Sequence, residues 1–148
     1  MYNIFSEGCK FEDVVLTNKL FIVYARLRIC DDFVELYSVD RVGMIVDGSD
    51  YVLVEVIRGN KVLVESTVRT VNTNSGGRQQ LIGEAILFVN KRAIPKNKCP
   101  SIVRNIRNKL LSGWDLYVVI DIANRKLLRV EAIHPNETKR ILQAWSIR

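Results

Sequence analysis

Residues 91–115, KRAIPKNKCPSIVRNIRNKLLSGWD, join a strand-rich first part of the chain to a long apolar strand. Pro100 stands before a segment whose apolar residues recur at helical spacing, and Gly113 follows it. Proline next to a helix start and glycine just after its end are typical boundaries, so the pattern predicts a helix over 101–112 with Ser101 as its N-cap. The apolar stripe of this helix consists of Ile102, Val103, Ile106 and Leu110.

The same stretch is strongly basic, because it carries seven Lys or Arg before Gly113 and no acid until Asp115. Residues 1–85 hold nine basic and twelve acidic residues, a net charge of −3, whereas residues 86–148 hold thirteen and four, a net charge of +9. Such asymmetry creates a directed field that attracts polyanions. The polyanion could be a nucleic acid, an anionic lipid or an acidic protein surface, and the partner we expect is a nucleic acid, DNA or RNA.

The residues expected to contact that partner lie mainly on the basic stretch. Two further arginines come from a predicted strand in the first half, and one from the glycine-rich loop NTNSGGR at 72–78, which lacks the strand-loop-helix context of a nucleotide motif. The predicted nucleic-acid-binding residues are Lys91, Arg92, Lys96, Lys98, Arg104, Arg107, Lys109, Arg26, Arg28 and Arg78.

Outward from this stretch, β-branched and aromatic residues come in short runs separated by turn signals, which indicates strands. The link Gly59-Asn60 predicts a tight hairpin, because both residues tolerate positive φ. A last helix over 136–147, capped by Asn136, is expected to bury Ile141, Leu142 and Trp145. The predicted fold is α+β and mostly β, with strands near 19–29, 33–37, 51–58, 61–71, 79–89, 115–122 and 126–133.

An internal repeat is also predicted, because shifting the chain by 65 residues aligns two segments without a gap. Residues 20–64 then match residues 85–129, and Gly48 and Asp50 fall on Gly113 and Asp115. Each unit would consist of a strand, a connection ending in Gly-x-Asp, a second strand and a hairpin. The whole chain, 1–148, is interpreted as one domain.

One part of the chain consists of a strand that ends in Ala93-Ile94-Pro95, a basic helix containing Ile106, Arg107 and Leu110, and Gly113-x-Asp115 before an apolar strand. It resembles the swapped-hairpin transcription regulators and antitoxins and the related double-psi barrels. The recognisable residues lie within 92–122. The resemblance implies a pseudo-duplicated small β-barrel of about seven to eight strands formed within one chain. Members of these families include DNA-binding regulators and substrate-recruiting domains of unfoldases.

Catalytic, metal-binding and cofactor signals are weak. His134 stands alone before Pro135, which favours a capping role, and no serine or cysteine lies in the context of an activated nucleophile. The cysteines Cys9, Cys30 and Cys99 lack the paired spacing of a metal site, so no metal and no cofactor are expected. Their odd number argues against a disulfide framework and, with no signal peptide and no membrane span, predicts a cytoplasmic protein.

The sequence predicts a non-enzymatic nucleic-acid-binding module or regulator, and two alternatives to this function remain. The first is a protein-interaction or assembly module, either a barrel adaptor or a homo-oligomer, held through the C-terminal helix with Trp145 or through a strand edge. The second is a small hydrolase that would use acids from both halves, such as the pairs Asp31-Asp32 and Asp47-Asp50.

Overall fold

The computed structural model describes residues 8–55, 61–71, 78–90, 94 and 100–146. Within these residues the chain forms eight strands and two helices, which confirms an α+β fold that is mostly β. In chain order they are β1 (Cys9–Thr17), β2 (Phe21–Cys30), β3 (Val34–Val46), β4 (Ser49–Glu55), β5 (Lys61–Val71), β6 (Arg78–Phe88), α1 (Ser101–Leu111), β7 (Asp115–Asp121), β8 (Lys126–Ile133) and α2 (Pro135–Ser146).

The strands form two antiparallel sheets, each with its strands in chain order. Sheet A consists of β1-β2-β3-β4 and sheet B of β5-β6-β7-β8. The strand number fits the prediction, but no closed barrel forms among the described strands, since no ladder joins the two sheets. The tight hairpin predicted at Gly59-Asn60 lies outside the described residues. The strands before and after it, β4 and β5, belong to different sheets.

A shared hydrophobic core fills the space between the two sheets. Along β2 the inward residues Phe21, Val23, Ala25 and Leu27 are buried, while Arg26 between them is exposed, as expected for a strand with one covered face. Gly83 allows the sheets to approach, because a Cβ at this position would lie 3.0 Å from the Cβ of Leu36. The same buried cluster contains Leu16, Val42, Leu53, Leu87, Leu116, Val118 and Ile120.

Sheet B is covered on both faces, which explains why every residue of β7 is buried. Its outer face packs against α2, where Ile141, Leu142 and Trp145 contact buried residues such as Ile86. The burial of these three helix residues, expected from the sequence, is confirmed as partial. Because a continuous apolar strand needs cover on both sides, the sequence DLYVVID already indicates this two-sided packing.

Polar contacts fasten α2 to sheet B at two places. The buried carboxylate of Glu84 on β6 accepts hydrogen bonds from the hydroxyl of Tyr117 (2.7 Å) and from Nε1 of Trp145 (3.0 Å). Near the start of the helix, Oγ1 of Thr138 donates to Oδ2 of the buried Asp115 (2.6 Å). Both carboxylates therefore have partners, as buried charges require.

Several predicted boundaries are close to those observed. The helix over 101–112 is confirmed as α1, but its N-cap is Pro100 rather than Ser101, and no side chain caps it. The helix over 136–147 begins one residue early, at Pro135. The strand predicted at 33–37 continues to Val46, and β1 was not predicted, because only Leu16 among its residues is fully buried.

The predicted repeat remains a prediction, and its two copies differ in the described structure. The strands β4 and β5 of the first copy belong to different sheets, whereas β7 and β8 of the second copy pair with each other. A shift of 65 residues places residues 36–46 of the first copy on residues 101–111 of the second. The first segment belongs to strand β3, whereas the second is helix α1. The two units, if related, therefore fold differently between their matched strands.

A disulfide joins Cys9 to Cys30, so the expectation that these cysteines form no disulfide is wrong. The two residues are direct partners in the β1–β2 register, at the end where β1 begins. Their separation of 21 residues in the chain gave no sequence signal, because pairing depends on the antiparallel ladder. The bond holds the first residue of β1 against β2. The four residues that follow it in β1, Lys10, Phe11, Glu12 and Asp13, are all exposed.

Among the described residues, none of the helices is both long enough and apolar enough to cross a membrane.

We predict that the Cys9→Ser/Cys30→Ser double variant loses about 3 kcal/mol of unfolding free energy, because a crosslink over 21 residues removes that much loop-closure entropy from the unfolded chain. Urea denaturation under non-reducing conditions measures the change. Addition of dithiothreitol should destabilise the parent by a similar amount and leave the double variant unaffected. Three titratable thiols in the unfolded, unreduced parent would contradict the disulfide.

Candidate nucleic-acid interface

Helix α1 presents one face to the core and the opposite face to solvent. Val103 and Leu110 are buried in the cluster between the sheets, and Ile106 is half-buried against it. The apolar stripe predicted from the sequence is thus confirmed at these three residues. The opposite stripe, with the i, i+3, i+4, i+7 spacing of one helix face, consists of the exposed residues Ser101, Arg104, Asn105 and Asn108.

The basic residues of α1 lie along and beside this exposed stripe. Arg104 is exposed, whereas Arg107 and Lys109 are half-buried. The helix contains no acidic residue, so its polar surface carries only positive charge. Lys109 lies in the last turn, where a cation also interacts favourably with the negative end of the helix dipole.

The end of α1 is a Schellman motif that fixes the residues following it. Gly113 adopts φ +95° and its N–H donates to the carbonyl of Leu110 (3.1 Å), while the N–H of Trp114 donates to the carbonyl of Lys109 (3.0 Å). Gly113 was predicted as the stop of the helix, and this is confirmed. The motif places the side chain of Trp114 beside that of Lys109, with the ammonium 5.0 Å from the centre of the indole ring.

Trp114 also contacts His134, the only histidine of the chain. Their ring centres lie 5.4 Å apart with an interplanar angle of 83°, an edge-to-face arrangement. Nδ1 of His134 accepts a hydrogen bond from the N–H of Asn136 (3.1 Å), so His134 caps the start of α2, as its position before Pro135 predicted. The prediction of Asn136 as the cap is wrong, because this residue lies inside the helix. We call Lys109, Trp114 and His134 the Trp114 corner; Trp114 is half-buried and His134 exposed.

Five of the predicted site residues cannot be placed on this surface. Lys91, Arg92, Lys96 and Lys98 lie outside the described residues, and of Arg78 only the backbone, in β6, is described. Ile94 of the same connection is described: it is 4% exposed and belongs to the core cluster that holds Val103 and Leu110.

Arg26 and Arg28 lie on a different surface, the outer face of sheet A. Nε of Arg26 pairs with Oδ1 of Asp13 (2.8 Å) and Nε of Arg28 with Oε1 of Glu35 (2.7 Å). The hydrogen bond and positive charge of Arg26 lower the pKa of the Asp13 carboxyl. The structure therefore pairs these two arginines with acids, away from α1, whose main described neighbour is β8 of sheet B.

The outer face of sheet A carries features that the sequence reasoning did not find. Phe11 and Tyr37 are 54% and 51% exposed, and their rings contact each other edge-to-face with centres 4.8 Å apart. Arg41 lies over the ring of Tyr24 on the same face (5.3 Å). The sequence signal for this face is that successive side chains of a strand point to opposite faces, which places one aromatic residue of β1 and one of β3 on the uncovered side.

The buried acids of sheet B serve structural contacts. Besides Glu84 and Asp115, which fasten α2, Asp121 accepts hydrogen bonds from the backbone N–H and the side-chain amide of Asn124 in the β7–β8 turn. Within the described parts of the chain, no group of three or more His, Cys, Asp or Glu residues is arranged to hold a metal ion.

Comparison of the chain with protein-family models, with curated proteins and with solved structures finds no match. The resemblance to swapped-hairpin and double-psi proteins therefore stays a prediction.

We predict that Gly113→Ala lowers the unfolding free energy by about 1 kcal/mol, because a side chain in this left-handed conformation is strained even though no atom lies within 4 Å of the new Cβ. Chemical denaturation measures the loss. Gly113→Asn should cost less than Gly113→Ala, because Asn tolerates the left-handed region better. Equal stability of parent and Gly113→Ala would contradict the role of Gly113 in ending α1.

Proposed function

We propose that the protein is a non-enzymatic nucleic-acid-binding module or regulator that contacts its ligand through the solvent face of α1. The observation that carries the proposal is the separation of apolar and charged residues on this helix. Its apolar side is buried in the core, Arg104 is exposed on the opposite side, and Arg107 and Lys109 are half-buried beside it, all on one acid-free helix. The proposal adds the connection before α1, with Lys91, Arg92, Lys96 and Lys98, as part of the same binding surface.

Electrostatics would supply most of the affinity. The chain has no Asp or Glu between Glu84 and Asp115, and the latter is buried and hydrogen-bonded by Thr138. A polyanion at α1 would thus meet cations from a chain segment that contains no acid of its own. Each phosphate neutralised by Lys or Arg releases condensed counterions, so binding should weaken steeply with salt.

Asn105 and Asn108 lie between the cations on the exposed stripe and provide amide donors and acceptors. Side-chain amides can form two hydrogen bonds with the edge of one base, whereas lysine and arginine contacts to phosphate carry no sequence information. In the proposed complex the cations hold the backbone and the two asparagines contact bases.

A second candidate function, a protein-interaction or assembly module, is favoured by the outer face of sheet A. Exposed aromatic residues and arginines are enriched in protein interfaces, and here Phe11, Tyr37 and Arg26 share one uncovered sheet face. Docking through Trp145 is less favoured, because this side chain is half-buried and donates a hydrogen bond to Glu84 within its own chain.

Light scattering of the parent and of Phe11→Ser/Tyr37→Ser tests this second candidate. A dimer or larger homomer in the parent that dissociates in the double variant would support it.

A cytoplasmic location remains part of the proposal. Disulfides such as Cys9–Cys30 are uncommon in a reducing cytosol outside hyperthermophiles, so the redox state of this pair in cells tests the location. Rapid acid quenching followed by alkylation of free thiols measures that state.

We predict that Arg104→Gln/Lys109→Gln binds DNA or RNA roughly tenfold more weakly than the parent at low salt, because two phosphate contacts are lost. The slope of log affinity against log salt concentration should become shallower by about one for each lost contact. Fluorescence anisotropy with labelled oligonucleotides, single-stranded and duplex, measures both quantities.

The matched control is Lys126→Gln/Lys139→Gln, which removes the same charge from exposed positions on β8 and α2. It should weaken binding by much less than the α1 variant. Absence of binding by the parent at low salt would refute the proposed function, and equal losses in the two double variants would refute α1 as the contact surface.

We further predict that Arg26→Gln/Arg28→Gln changes nucleic-acid affinity less than Arg104→Gln/Lys109→Gln does. Both arginines are already paired with acids, Asp13 and Glu35, so little net positive potential is lost. The same anisotropy titration compares the variants. A larger loss in Arg26→Gln/Arg28→Gln would move the interface to the outer face of sheet A.

A further inference from the structure

The Trp114 corner lies next to the basic face of α1 and combines a cation with two aromatic rings. Lys109 lies 5.0 Å from the centre of the Trp114 ring, and the ring of His134 meets Trp114 edge-to-face at 5.4 Å. His134 is exposed and Trp114 is half-buried, so part of this aromatic surface contacts solvent.

The corner is held in place by backbone hydrogen bonds on both sides. The Schellman motif at Gly113 ties Trp114 to the last turn of α1, and the cap formed by His134 ties the imidazole to the first turn of α2. The backbone of Trp114 and the imidazole of His134 are fixed in this way and lose little conformational entropy on binding, which favours the corner as a contact surface. The nearest acid along the chain, Asp115, is 8% exposed and engaged by Thr138, so it adds little repulsion.

Aromatic side chains beside a basic surface are the combination that binds unpaired nucleotides. The faces of bases in a duplex are stacked on one another, whereas a single strand offers its base faces to aromatic side chains, with a gain of about 1–3 kcal/mol per stacked base. The cation of Lys109 lies where it could neutralise the phosphate of a nucleotide stacked on the corner, and Arg104 lies further along the same helix.

We infer that the Trp114 corner is a stacking site for an unpaired base, so that the ligand of the proposed interface is single-stranded nucleic acid rather than duplex. This inference rests on the proposed function and specifies its ligand class. The base stacks on Trp114, and His134, whose ring is nearly perpendicular to the indole, contacts the edge of that base. Lys109 contacts the adjoining phosphate, and the strand continues along the exposed stripe of α1.

Tryptophan fluorescence tests the stacking directly. The chain has two tryptophans, Trp114 and Trp145, and the second lies in α2, where it donates to Glu84. In the variant Trp145→Phe, Trp114 is the only tryptophan that emits. Titration with a single-stranded oligothymidylate should quench this emission to saturation, whereas a duplex of equal length at the same concentration should not.

Affinity measurements complete the test. Trp114→Ala should weaken binding of the oligothymidylate roughly tenfold and leave duplex affinity within about twofold of the parent, because one stacked base is lost. Trp114→Phe, which keeps a smaller ring, should recover part of the loss. If Trp145→Phe fails to fold, the quenching is measured in the parent and in Trp114→Phe instead. The part of the parent's quenching that is lost in Trp114→Phe comes from Trp114.

The outcomes separate the two proposals. If the parent binds the oligothymidylate but Trp114 is not quenched and Trp114→Ala binds as tightly as the parent, the stacking site is refuted and the proposed function stands. Equal weakening of single-stranded and duplex binding by Trp114→Ala also refutes it. If no nucleic acid binds at low salt, the proposed function fails and the inference fails with it.

Discussion

The core between the two sheets determines how the rest of the molecule is arranged. Gly83 lets sheet B approach Leu36 of sheet A, and the apolar side of α1 closes the same core with Val103 and Leu110. Burying these two residues stabilises the fold by several kcal/mol, on the order of 2 kcal/mol for each side chain, which no contact of an exposed lysine or arginine can match. The rotation of α1 about its axis is therefore set by packing, and the cations take the face that remains.

The position of the Trp114 corner follows from the same constraint. Since α1 is fixed by its buried residues, the Schellman motif at Gly113 can direct Trp114 back towards Lys109 and start β7 in the interior of sheet B. The strand β7 in turn requires cover on its outer side, which α2 provides, and His134 at the start of α2 reaches Trp114. The aromatic corner thus results from contacts among three elements that each have a structural reason for their place.

The sequence predicted those elements whose signals are local. Helix α1 and its stop at Gly113 follow from spacing and a positive-φ residue, and the capping role of His134 follows from its position before Pro135. The pairing of strands was predicted poorly, because it depends on the distant register of one strand on another. The disulfide between Cys9 and Cys30 and the separation of β4 from β5 both arise from that register.

The candidate site was predictable in its charge but not in its geometry. An acid-free basic segment is visible in the sequence, whereas the salt bridges that occupy Arg26 and Arg28 exist only because Asp13 and Glu35 lie opposite them on neighbouring strands. Likewise, nothing local brings Trp114 and His134, 20 residues apart in the chain, into contact. Net charge identifies a segment, and the fold decides which of its cations share a surface.

The most direct test of the account is an NMR titration of the ¹⁵N-labelled protein with a single-stranded oligonucleotide. The account predicts that amide shift changes cluster on α1, on Gly113 and Trp114, and at the start of α2 near His134, and that they diminish as salt is raised. Shift changes confined to the outer face of sheet A, or no changes at low salt, would contradict it.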